Sequence, residues 1–143
     1  MQLKDLKKKG ALVTGALVKK ELTWTRIDPE SGEEKSDTFS VFVVKQLSIA
    51  SYDAIFGLSS QDTSRSTVAA IVAECIRLGD EGEEKINYAD ASRLEPSLAI
   101  LFATAAREVH EALKKARDEK AGNSQPPTSS GTNSSSPASE AGQ

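Results

Sequence analysis

With 143 residues, four Phe, two Tyr, one Trp and a formal net charge of −3, the chain has material for one modest core and lacks the strongly basic surface of a dedicated nucleic-acid binder. Its single cysteine, Cys75, rules out an internal disulfide and suits a reducing compartment. One Cys and one His together are too few for a zinc site of three or four such ligands.

Met1 to Gly10 reads as an arm or a short frayed turn, with Lys4, Lys7, Lys8 and Lys9 as a solvated basic run. It is followed by ALVTGALV, too short and too soon interrupted by charge to serve as a signal peptide. From Ala16 to Ile27, Leu22 and Trp24 alternate with Glu21, Thr23 and Thr25, the period of a strand with one face covered. DPESGEEKSD is a polar loop marked by Asp28-Pro29 and Ser31-Gly32. In TFSVFVVKQ, Phe39, Val41 and Val43 share one face while Phe42 and Val44 share the other. The two strands predict an antiparallel hairpin, which needs helices on a face to be stable in water.

A short helix is expected within Gln46–Leu58, capped by Ser48 and ended by Gly57. A second is expected from a cap at Asp62 or Ser64 to about Leu78. Val68, Ile71, Val72, Cys75 and Ile76 form its buried stripe, and Gly79 its stop. Asp80 to Lys85 reads as an acidic loop. Ile86 to Glu95 reads as an extended piece and then a helical turn, with Tyr88, Ala91 and Leu94 inward.

Pro96 to Lys120 predicts a long helix. Leu98, Leu101, Phe102, Ala105, Val109, Ala112, Leu113 and Ala116 recur at steps of three and four along one face. Pro96 suits its first turn, and Lys114, Lys115, Arg117 and Lys120 suit the negative end of its dipole. Charge interrupts it too often for a membrane span. From Ala121 the composition turns to Ser, Pro, Gly and Asn, which cannot bury enough surface to offset ordering. The sequence therefore predicts a folded domain over 1–120 and a disordered tail over 121–143. The fold class is α+β: an N-terminal antiparallel hairpin packed on three to four helices. Trp24, Phe39, Val41, Leu101, Phe102 and Val109 are expected to share a core.

Converging reactive groups are not apparent. His110 is the only histidine and reads as a solvent-facing or boundary residue of the long helix. Cys75 sits in an apolar stripe, where a thiol behaves as a small hydrophobe. Gly10 and Gly15 are spaced like those of a phosphate loop, but Ala16-Leu17 follows where Lys-Ser/Thr is required. Asp80, Glu81, Glu83 and Glu84 lack the spacing of a calcium loop. No catalytic, cofactor or metal site is read, and the weight moves to binding and assembly.

Several stretches together resemble the tail assembly chaperones of long-tailed bacteriophages and prophages. KKELTWTR, Lys19 to Arg26, comes first, with Asp28-Pro29, Ser31-Gly-Glu-Glu34 and Asp37-Thr-Phe39 before a Val-rich strand. Later come Ile76-Arg-Leu-Gly-Asp80, Tyr88-Ala-Asp-Ala91, Leu94-Glu-Pro-Ser-Leu98 and Glu108-Val109. The similarity spans about residues 3 to 113. The final helix departs from the pattern by continuing through ALKKARDEK.

The resemblance implies a chaperone that binds the tape measure protein, helps recruit tail tube subunits, acts in the host cytoplasm and is missing from the mature virion. It implies no enzyme activity. Trp24, Phe42, Leu98, Phe102 and Val109 are the expected partner-binding residues. A homo-oligomer or partner-dependent assembly is expected, with no membrane and no nucleic acid. The alternatives are a structural tail-completion or neck subunit retained in the virion, or a small regulatory or nucleic-acid-binding protein.

Overall fold

The structure, a computed structural model, describes residues 1–57 and 65–120 and the backbone of 121–123. The expected caps Asp62 and Ser64, and the tail from residue 124 on, lie outside the described residues. Two compact units are distinguished, Met1–His110 and Glu111–Gln143.

The first unit is α+β. A short helix α1 (Leu3–Lys8), with no buried residue, precedes the long hairpin of β1 (Leu17–Ile27) and β2 (Glu34–Val44). The strands pair antiparallel over 11 residues each, from Leu17 opposite Val44 to Ile27 opposite Glu34. The expected hairpin is present with a shorter loop, since residues 34–37, read as part of the polar loop, pair with residues 24–27, and it is half of a larger sheet. β3 (Ile76–Leu78) pairs with the end of β2 and β4 (Glu84–Lys85) with β3, in the order β1-β2-β3-β4.

Both short strands correct the sequence reading. Residues 76–78 were expected to end the second helix, and 84–85 to lie in an acidic loop. Helix α3 (Thr67–Cys75) stops because Ile76 adopts extended backbone, φ −103° and ψ 136°. Ile76 is β-branched, pairs with Val43 and is wholly buried. Gly82, with φ +79°, turns β3 back into β4. A side chain there would meet Leu17 Cδ1 at 2.6 Å and the Phe42 ring at 3.0 Å.

The helices begin where hydroxyl or amide side chains cap them. Ser48 accepts the Ser51 N–H, 3.1 Å, at the start of α2 (Ile49–Phe56). Gly57 follows it, donating its N–H to the Asp53 carbonyl. Ser66 accepts the Ala69 N–H, 3.1 Å, at the start of α3. Asn87 accepts the Asp90 N–H, 2.8 Å, ahead of α4 (Tyr88–Ala91). Pro96 opens α5 (Pro96–Asn123), where Glu95 accepts the Ser97 N–H at 3.2 Å.

The core lies between the sheet and helices α2 to α5. Leu22, Val41 and Val43 come from the sheet, Ile55 from α2, and Ala69, Ala70, Val72, Ala73 and Cys75 from α3. Ala91 from α4 joins Phe102, Ala105, Ala106 and Val109 from α5. Phe39, Ile71, Tyr88, Leu94, Leu98 and Leu101 are half-buried against it. Val68 departs from the expected α3 stripe: it faces outward at the helix start.

Trp24 departs as well. It pairs with Asp37, one inward position beyond the Leu22–Phe39 pair, so the strand has run past the core and its ring is only half-buried. On α5, burial follows the expected stripe as far as Val109, whereas Ala112, Leu113 and Ala116 are exposed. In the second unit, residues 111–120 expose every side chain.

Phe102 is 3% exposed and meets Phe39 edge to face, with ring centroids 6.2 Å apart. Phe102→Ala is expected to lower unfolding stability by about 3–5 kcal/mol. Urea unfolding followed by far-UV circular dichroism measures this; a loss of less than about 1 kcal/mol contradicts its central place in the core.

Candidate functional site

The five residues expected to bind a partner do not form one surface. Phe102 and Val109 are buried in the core, 3% and 7% exposed. Leu98 is half-buried against that core. Phe42 lies on the opposite face of the sheet, half-buried, where the Gly82 turn passes close to its ring. Trp24 sits at the margin of α5. Its indole Nε1 donates to Ser97 Oγ at 2.9 Å, and the Arg26 guanidinium lies 4.3 Å from the ring centre.

Ser97 passes the contact on, its hydroxyl donating to the Glu95 carboxylate. That hydroxyl, then the Ser97 N–H, hold the Glu95 carboxyl below its ordinary value. Trp24, Ser97 and Glu95 thus fasten the outer half of β1 to the first turn of α5. Arg26 extends the fastening to Asp37 across the hairpin, at 2.6 Å.

The larger apolar surface lies elsewhere. Ile49, Tyr52 and Phe56 of α2 are 76%, 52% and 51% exposed. Their spacing of three and four places them on one helix face. The rings of Tyr52 and Phe56 lie 5.2 Å apart. Ser48 and Gly57 fix both ends of this helix, and the buried Ile55, next to that face, anchors it in the core. The signal was in the sequence: IASYDAIF carries more large apolar side chains than one buried face can take up. Separately, a shallow cleft of about 250 Å³ opens between the start of α3, the end of α4 and the first turn of α5. Val68, Leu94 and Ile100 give it an apolar lining.

Ionisable groups are dispersed. Among the described residues no three His, Cys, Asp or Glu side chains gather to hold a metal, and no helix is long and apolar enough to cross a membrane. His110 is at the expected boundary: half-buried, its Nε2 donates to the Val44 carbonyl at 2.7 Å, tying α5 to the end of β2. Cys75 is buried. Loss of water around the sulfur, reinforced by the Glu74 charge and opposed by Arg77, pushes its thiol up to about 12. Asp28 is held below its ordinary value chiefly by the Lys35 ammonium, 2.6 Å away, at the hairpin loop.

An α+β body that sets large apolar side chains of one helix face in solvent offers a surface suited to docking another protein. The chain belongs to the phage tail assembly chaperone family: the family model described as phage tail assembly chaperone, TAC, matches residues 4–110. Neither a curated protein nor a solved structure matches the chain. The family match accords with the resemblance read from the sequence and covers nearly the whole of the first unit.

The Cys75 thiol is expected to resist modification in the folded protein. At pH 8 a thiol reagent should label it only as fast as the chain opens, and at once in denaturant. Because the thiol loses its proton near 9.0 when exposed and near 12 when folded, its burial supports the fold fully below pH 9. That support is lost as pH rises through the folded value. Rapid stoichiometric labelling without denaturant contradicts the buried placement.

Proposed function

We propose that this chain is a non-catalytic tail assembly chaperone that binds the tape measure protein and helps recruit tail tube subunits, acting in the host cytoplasm and leaving before the virion is complete. The family match over residues 4–110 carries the reading. The exposed face of α2 supplies a physical route to it. Before the tube covers it, a tape measure protein is long, helical and apolar on one side. A partner for such a helix needs large apolar side chains at helical spacing and no reactive centre. Ile49, Tyr52 and Phe56 meet that requirement, with Tyr52 also bringing a hydroxyl to the rim. Trp24 and Leu98 are only half-buried and remain accessible to a partner in part.

Co-expression tests the reading. The wild-type chain should keep the tape measure protein soluble and copurify with it. Ile49→Glu with Phe56→Glu should cut recovery of the complex at least about tenfold, because two apolar contacts become buried charges. Both positions are exposed, so the variant should keep the wild-type melting temperature. A tape measure protein that is equally soluble without the chain, or a complex indifferent to the α2 changes, contradicts the role or the surface respectively. Mass spectrometry of purified virions separates a chaperone, which should be absent, from a retained structural subunit.

A further inference from the structure

β1 is an edge strand, paired on one side only among the described residues. The ladder shows which of its backbone groups face outward. Lys45 N–H donates to the Ala16 carbonyl just before β1, and Asp28 N–H donates to the Glu33 carbonyl just after it. Both pairs continue the register of the hairpin. Antiparallel pairs alternate between bonded and unbonded. Even-numbered residues of β1 therefore bond to β2, and Leu17, Lys19, Glu21, Thr23, Thr25 and Ile27 turn N–H and C=O outward. The hydroxyl contacts Thr23–Thr38 at 3.0 Å and Thr25–Ser36 at 2.8 Å agree, since side chains approach most closely in unbonded pairs.

Leu22 is the central residue of LVKKELTWTRI, with the apolar Leu17 and Ile27 at equal distances on either side. We propose that β1 pairs antiparallel with β1 of a second copy of this chain, in the register that places Leu22 opposite Leu22. In that register the outward residues meet outward residues, giving about a dozen backbone hydrogen bonds across the twofold axis. Leu17 meets Ile27, which is 63% exposed in the single chain. Lys20 meets the Trp24 ring, whose neighbour Arg26 shows that it accepts a cation. Lys19 meets Thr25 and Glu21 meets Thr23, so no like charges are opposed.

The neighbouring registers that also match outward groups are disfavoured. Sliding by two residues one way opposes Glu21 to Glu21, and the other way opposes Lys20 to Arg26. Edge lysines ordinarily deter strand pairing. Here the register gives both of them acceptable neighbours, which is why a second copy is favoured over an unrelated strand.

Sedimentation of the full chain tests the proposal. The wild type should dimerise. Thr23→Glu places a carboxylate against Glu21 at both symmetric positions and should raise the dimer Kd about tenfold. Thr23→Lys should lower it, and Glu21→Lys combined with Thr23→Glu should restore it. Residues 21 and 23 are exposed and their N–H groups are not used by β2, so melting temperatures at low concentration should stay near wild type. Mixing Glu21→Cys with Thr23→Cys should give a disulfide-linked dimer that neither variant gives alone. A wild-type monomer at high micromolar concentration overturns the proposal. So does a dimer indifferent to charge at Thr23, or one that cross-links through Thr23→Cys alone.

Discussion

Four residues of β2, Val41 to Val44, carry the constraint on which the first unit depends. Here β2 is bonded on both sides, to β1 along its length and to β3 at Phe42 and Val43. Val41 and Val43 are wholly buried on the helix-facing side. On the opposite side Phe42 lies under the Gly82 turn, and at the end of the strand the Val44 carbonyl takes the His110 hydrogen bond from α5. Such a strand has little freedom in register, because a one-residue slip would send both valines to the outer face. The hairpin, the β3–β4 turn and α5 are all positioned by reference to it. Toward the Ile27–Glu34 end the strands leave this environment, and Trp24, Arg26 and Asp37 replace apolar burial with hydrogen bonds and an ion pair.

The parts of this fold that were legible in the sequence are those whose periodicity runs long enough to identify itself. Leu22 and Trp24 in β1 and Phe39, Val41 and Val43 in β2 keep a two-residue spacing, and α5 keeps its three-four spacing from Leu98 to Val109. The cap at Ser48 was legible because it has a short-range chemical reason, and Gly57 ends α2 where a side chain would meet the Asp53 carbonyl oxygen at 2.5 Å. The transition at Ile76 was not. Val72, Cys75 and Ile76 satisfy a helical stripe, yet a short apolar run reads equally as helix or strand. What decides it is Val43, distant in sequence, offering a ladder position. Likewise, periodicity could not reveal that α5 outlasts the body it covers, so Ala112, Leu113 and Ala116 looked inward with the rest.

Exposed apolar residues were harder to read for a related reason. Aromatic and branched side chains in the hairpin and α5 drew attention because they are large, but Phe102 and Val109 are used internally. The α2 helix has only eight residues, and its Ile49, Tyr52 and Phe56 face is visible as surplus only once Ile55 is known to be the residue turned inward. Surface for a partner is what remains after the core is satisfied, so it becomes legible last. Membership of the tail assembly chaperone family agrees with such an economy: a small body and apolar area left in solvent.

The His110 bond marks a change in what keeps α5 helical. Before it, packing against the sheet supplies most of the stabilisation; from Glu111 to Lys120, residues whose side chains all face solvent must rely on intrinsic propensity. The sequence EALKKARDEK suits that condition, consisting almost wholly of strong helix formers, with Glu111 and Lys115 four residues apart. Helicity of this kind melts gradually, not in one cooperative step. Amide protons after His110 should therefore exchange with solvent through local fraying, while those between Leu98 and Val109 wait for larger openings of the body. One continuous helix would then carry two protection regimes, divided at a single imidazole.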